Sequence, residues 1–187
     1  MMTLSSLWLP ILLSAVIVFI ASSVVHMVLG YHRNDFARLP AEEQVRDALR
    51  PLAIPPGEYV MPYAGSAKAM SDPAFVDKLR QGPVAFITAL PNEAPGMARN
   101  LLLWFAYCVV VAIFAAYLAS RTLAPGADYL AVFRVVGCTA FLGYAVALWQ
   151  NAIWYHRAWA TTAKLTVDGL LYSLLTAGTF AWLWPAP

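Results

Sequence analysis

The chain has 187 residues, of which 61% are hydrophobic and 12% are charged, and its formal net charge is +2. The charged share is about half of that found in soluble domains. Its basic residues are scattered rather than gathered on one segment, which argues against a nucleic-acid-binding protein. The composition therefore predicts an integral membrane protein whose main surroundings are lipid.

Four long apolar stretches predict an all-α membrane bundle. Each has about the ~20 residues that a helix needs to cross a bilayer core. None shows the regular polar stripe expected of a soluble helix, and in lipid a helix satisfies its own backbone hydrogen bonds. The third stretch contains a single charged residue, Arg134, and the fourth contains only Asp168. The predicted transmembrane helices are residues 7–29, 100–120, 129–150 and 165–184.

The first of these stretches is expected to be a retained helix rather than a cleaved signal peptide. A secretory signal begins with a basic segment and ends at a small-residue cleavage site. Residues 1–6 contain no Lys or Arg, and residues 30–33 read Gly-Tyr-His-Arg. Neither feature matches a signal peptide.

Residues 30–99 predict a small cytoplasmic α+β cap. Proline and acidic residues begin, and a basic residue ends, a short helix over Pro40–Arg50. Asp72, Pro73 and Gly82 supply a cap, a first-turn proline and a stop for a second helix. Residues 58–61 and 84–90 have strand-like composition. The segment contains no recognised catalytic motif.

Basic residues near the membrane ends predict the orientation. Arg33, Arg38, Arg99, Arg157 and Lys164 all fall on the side that holds residues 30–99 and the loop 151–164. Because Lys and Arg favour the cytoplasmic side, both termini are expected in the periplasm of a bacterial inner membrane. The loop 151–164 is rich in Trp and Tyr, which predicts a segment anchored in the membrane interface. Its aromatic side chains also offer a wall for an amphipathic ligand, and the anchor is the favoured interpretation.

Small residues at four-residue spacing predict the helix contacts. In lipid, such faces let neighbouring backbones approach closely, and this packing is a main source of helix association. The predicted packing residues are Gly169, Ser173 and Ala177 in the fourth span, Ala112 and Ala116 in the second, and Gly143 and Ala147 in the third.

Two charged residues inside the spans are candidates for function, since such groups are costly in lipid. Asp168 lies one turn from Lys164 and on the same side as Arg157, so a local ion pair, with Lys164 favoured, is the leading interpretation. A place on an ion or proton pathway is the alternative. Arg134 is expected to extend its side chain to the outer interface.

The three histidines lie on the cytoplasmic side with Asp168 at similar depth. Imidazoles and a carboxylate are metal ligands, and two histidines also serve as haem ligands. On one continuous helix, however, His26 and His32 would point about 120° apart. His156 belongs to another loop. The sequence therefore favours no metal and no cofactor, with these histidines as weak candidates.

These observations favour a non-catalytic accessory or scaffold subunit whose partners are lipid and other membrane subunits. The supporting features are the low intramembrane charge, the thin cap and the lack of motifs. Two alternatives stay open. One is a haem- or metal-binding enzyme or electron carrier that uses His26, His32 and His156. The other is a small transporter or channel with Asp168 on its pathway.

Overall fold

The computed structural model describes residues 2–93 and 96–187. It is mostly helical, with one two-stranded sheet. The chain forms two compact units, and one of them combines the region up to Phe36 with the region from Gly96 onwards. The other unit covers residues 37–95.

The first unit is a bundle of long helices. The helices are numbered along the whole chain, and the second and third belong to the second unit. The α-helices of the first unit are α1 (Trp8–Ser23), α4 (Met97–Thr122), α5 (Tyr129–Tyr144), α6 (Trp149–Trp154) and α7 (Trp159–Trp182). A 3₁₀ turn, Leu4–Leu7, precedes α1, and a π-helical turn, Val24–Val28, follows it.

Three helical segments in the described chain are long and apolar enough to cross a membrane. They are Leu4–Val28, Met97–Thr122 and Tyr129–Trp154. Helix α7 has 24 residues, but many polar side chains lower its hydropathy. Those polar side chains, such as Thr161, Asp168 and Thr176, are buried in the bundle.

The four long helices pack in a ring in which α1 and α5 each contact both α4 and α7. Small side chains dominate the interior, so the helices approach closely. One cluster of buried residues comprises Met2, Leu7, Ile11, Ala112, Ala115, Ala116, Ala119, Val132, Val136, Ala177, Phe180 and Ala181. A second cluster comprises Ala15, Val18, Cys108, Val111, Ala140, Tyr144 and Tyr172.

The small residues of α7 lie inside the bundle. Gly169, Ser173 and Ala177 are all buried. A Cβ atom on Gly169 would lie 2.7 Å from the Cβ atom of Ala145 and 3.0 Å from the carbonyl of Tyr144. The end of α5 thus approaches α7 closely enough that only glycine fits at this position.

The other two predicted faces differ from each other. Ala112 and Ala116 of α4 are buried. Gly143 of α5 is partly buried, and a Cβ atom there would lie 3.2 Å from Val111. Ala147, by contrast, is exposed. It does not share a helical face with Gly143, because α5 ends at Tyr144 and a 3₁₀ turn begins at Val146.

The aromatic segment predicted as an interfacial loop over residues 151–164 is mostly helical. Helix α6 continues to Trp154, and α7 begins at Trp159, six residues before the predicted start of the fourth span. Four residues, Tyr155–Ala158, connect them. The side chains of Trp149, Trp154, Tyr155 and Trp159 are all exposed.

The second unit has the α+β content expected from its sequence. It contains α2 (Glu42–Leu49), α3 (Pro73–Gln81) and strands β1 (Gly57–Met61) and β2 (Ala85–Ala89), which pair antiparallel with Gly57 opposite Ala89. The Asp72 side chain accepts a hydrogen bond from the Ala74 amide and caps α3. None of the described residues between 37 and 93 is buried, so this unit has no apolar core of its own.

Candidate metal centre

The end of the first span places two histidines together. His26 lies in the π-helical turn Val24–Val28, a kind of local widening that is frequent at functional sites. Gly30 then adopts φ +67°, in the left-handed region that glycine tolerates without strain. The chain turns back at this point, and the Arg33 amide donates to the Gly30 carbonyl.

This reversal stacks His32 on His26. The ring centroids lie 4.4 Å apart and the ring planes are inclined by only 3°. The divergence of about 120° applies only to one continuous helix, and the turn at Gly30 separates the two histidines. The turn at Gly30 replaces the helical geometry on which that expectation depended.

Two carboxylates hold His32 between them. Its Nδ1 atom lies 2.6 Å from Asp35 Oδ2, and its Nε2 atom lies 2.8 Å from Asp168 Oδ2. The His32 side chain is 11% exposed and that of Asp168 only 4%, so the contact is shielded from solvent. Helix α7 therefore brings its one acidic residue, Asp168, directly onto His32.

Lys164 completes the arrangement from the outside. Its Nζ atom donates to Asp35 Oδ1 over 2.7 Å and to the Tyr31 carbonyl over 2.8 Å. Hydrogen bonds from Lys164 and His32 hold the pKa of the Asp35 carboxyl below its usual value. The predicted pairing of Lys164 with Asp168 is not the contact observed. Lys164 instead reaches the turn after the first span, and Asp168 contacts His32.

The hydrogen bonds of the two histidines also determine which ring nitrogens are available to bind a metal ion. His26 Nδ1 lies 3.0 Å from the Ser22 carbonyl, which only accepts, so this nitrogen carries the hydrogen. Its Nε2 atom then keeps a lone pair when the ring is neutral. In the same way, the Asp35 carboxylate accepts from His32 Nδ1–H and leaves His32 Nε2 as the ligand atom.

The resulting group has the composition of a metal site. One ligand atom each from His26, His32 and Asp168 lies within 4.8 Å of the others. Two histidines and one carboxylate are a ligand set used by zinc and by non-haem iron. Both histidines also have the second hydrogen bond, to a carbonyl or a carboxylate, that typically orients metal-binding imidazoles.

A haem ligated by these two histidines does not fit this geometry. The iron of a bis-histidine haem lies between two ring nitrogens that face each other across the macrocycle. Here the two rings are stacked face to face at 4.4 Å, with no space for a macrocycle between them. The third candidate, His156, is exposed and lies outside the group of possible ligands found among the described residues.

No family model, curated protein or solved structure matches the chain.

The remaining charged candidates lie elsewhere. Arg134 is exposed on α5. The Arg157 guanidinium carbon lies 5.9 Å from the centre of the Phe36 ring. Neither belongs to the group formed by His26, His32 and Asp168.

The sequence reasoning missed Asp35 and Ser22, which orient the two histidines. Asp35 follows His32 by three residues, just after an apolar span and a glycine turn. Histidines and an acid grouped at the end of a span were a usable signal. Ser22 offered none, because its contribution to His26 is a backbone carbonyl.

Proposed function

We propose that this protein is a membrane protein that binds one divalent transition-metal ion through His26, His32 and Asp168. The observation that carries the proposal is the convergence of these three side chains, with both imidazoles already oriented by hydrogen bonds. Zinc and ferrous iron are the ions whose ligand preferences best match two imidazoles and a carboxylate.

The contacts of His32 explain how an ion would enter. The 2.8 Å contact between His32 Nε2 and Asp168 Oδ2 needs one hydrogen, carried by either of the two atoms. An ion held by both atoms would take the place of this hydrogen. The Nδ1–H bond to Asp35 is kept, and binding releases a proton.

We further propose that α7 is a fourth transmembrane helix. Twenty-four residues span about 36 Å at 1.5 Å per residue, which is enough for a bilayer core. Its exposed positions include Val167, Leu170, Leu171 and Leu174, while its polar side chains face the bundle. This distribution suits a helix surrounded by lipid on one side and protein on the other.

The orientation follows the basic residues near the membrane ends. Four spans put both termini on one side, and the excess of Lys and Arg on the other side favours the cytoplasm for residues 30–99. We therefore propose periplasmic termini in a bacterial inner membrane. The metal site then lies at the cytoplasmic end of the bundle.

The other functions predicted from the sequence stay proposals. An accessory role in a larger assembly is compatible with metal binding, and the exposed second unit would suit a partner. A transport pathway through Asp168 has less support, because this carboxylate contacts His32 rather than an open channel wall. Among these candidate functions, metal binding is the one that a specific arrangement of side chains supports.

Metal binding is tested with purified protein in mild detergent. The protein, stripped with a chelator and dialysed against zinc, is expected to retain one zinc ion per chain. Replacement of His32 by Ala is expected to weaken zinc binding by at least about 100-fold, because it removes one of three protein ligands. Elemental analysis and competition with a chromophoric chelator measure both quantities.

His156→Ala is the matched control for this experiment. His156 is an exposed histidine that also lies near the end of a helix, but it is outside the ligand group. Its replacement should leave zinc binding unchanged. A wild-type protein without stoichiometric zinc, or an equal loss in both variants, would overturn the proposal.

The number of spans is tested by cysteine labelling in intact cells, in a background without Cys108 and Cys138. A single cysteine at Ser66 is expected to react only after permeabilisation, and one at Pro187 should react from outside. If α7 does not cross the membrane, the two positions lie on the same side. Equal accessibility would therefore contradict the fourth span.

A further inference from the structure

Two buried phenols, Tyr144 and Tyr172, lie beside each other near the candidate metal centre. The Tyr172 hydroxyl has no hydrogen-bond partner among the described residues. Burying a hydroxyl without a hydrogen bond destabilises a protein, so each such group in a native structure calls for an explanation. Phenylalanine would fill the same space without that cost.

Their position connects these phenols to the metal ligands. Tyr172 follows Asp168 by four residues on α7, so both side chains project from the same face of the helix. Side chains in a helix lean towards its N-terminus, which directs the Tyr172 ring towards Asp168. The Tyr144 ring packs edge-on against Tyr172, with the centroids 5.8 Å apart.

The charge balance of the site is incomplete when a divalent ion is bound. Asp168 neutralises one of the two positive charges of the ion, and Asp35 and Lys164 neutralise each other. One positive charge remains beside the buried Asp168 and the partly buried His32, where unbalanced charge is costly, while His26 is exposed. Three protein ligands also leave at least one coordination position for a group from solution, as in catalytic zinc sites.

We propose that the metal ion takes an anionic ligand from solution, hydroxide or a small inorganic anion, and that the Tyr172 phenol donates a hydrogen bond to it. This inference rests on the proposed metal binding and makes the centre an open site rather than a closed structural one. The anion supplies the missing negative charge and gives the buried phenol its acceptor.

The test uses Co²⁺ in place of the native ion and azide as the anion. Co²⁺ bound to two nitrogens and a carboxylate has visible absorption bands that change when an anion joins the metal. Azide added to the Co²⁺-loaded wild-type protein is expected to shift these bands to a saturable end point. Tyr172→Phe should weaken azide binding roughly tenfold, as expected for the loss of a hydrogen bond to a charged group, and should leave Co²⁺ affinity unchanged.

Tyr107→Phe is the control, because the Tyr107 phenol already donates to the Gly143 carbonyl over 2.6 Å. It should bind azide like the wild type. A Co²⁺ spectrum that azide leaves unchanged in the wild-type protein would overturn the inference while metal binding stands. Equal azide affinity in Tyr172→Phe and Tyr107→Phe would also overturn it. A protein that binds no Co²⁺ overturns the proposed function and this inference with it.

Discussion

Asp168→Asn is expected to lower zinc affinity by about 100-fold or more and to leave the fold intact. The carboxylate is the only anionic ligand in the group, and an amide oxygen is a neutral and much weaker ligand for zinc. The Asn side chain keeps the shape of Asp168, and its amide can donate to or accept from His32 Nε2. Lys164 keeps its own carboxylate partner, Asp35, so its ammonium group is not left unpaired.

The measurement is zinc affinity by chelator competition, together with the detergent melting temperature of the metal-free protein. Asp128→Asn provides the control, since Asp128 is exposed at the start of α5 and lies outside the ligand group. If Asp168→Asn binds zinc as tightly as the wild type, Asp168 is not a ligand. If it instead unfolds the metal-free protein, its main role is structural.

Gly169→Ala is expected to destabilise the bundle by about 1–3 kcal/mol, the range for overpacking a well-filled interior. The added methyl group would lie 2.7 Å from the Ala145 methyl group and 3.0 Å from the Tyr144 backbone. Neither neighbour is the end of a flexible side chain, so α5 and α7 must separate. The higher helix propensity of Ala offsets at most about 1 kcal/mol of this cost.

Gly178→Ala on the same helix is the control. A Cβ atom at Gly178 meets only the Tyr129 hydroxyl, at 3.7 Å, which is an ordinary contact. This variant should therefore melt at or slightly above the wild-type temperature in detergent, while Gly169→Ala melts below it. Equal melting of the two variants would show that α5 and α7 do not pack closely at Gly169.

The sequence alone determined which parts of the chain are long helices. Apolar length is a local property, and it marked the first three spans without reference to any contact. The local signals at Asp72, Pro73 and Gly82 likewise placed α3, because capping depends on residues adjacent in the chain. Small residues in α7 also indicated its buried face, since close helix approach in lipid needs small side chains.

Some boundaries depended on contacts that the sequence does not reveal. The break between α5 and α6 falls at Ala145, within a stretch that reads as one uninterrupted apolar span. Gly169 of α7 packs against that break. The contact with the neighbouring helix explains why the chain departs from helical geometry there. Because of this departure, Gly143 and Ala147 do not share one helical face.

Only the tertiary structure decided how the polar residues pair. From the sequence, the nearest partner of Asp168 was Lys164, because the two lie one turn apart on a helix. In the folded chain, the turn at Gly30 brings His32 to Asp168 across 136 positions, and Lys164 pairs with Asp35. Sequence spacing predicts contacts within one helix, whereas the candidate metal centre depends on where two distant helices place their ends.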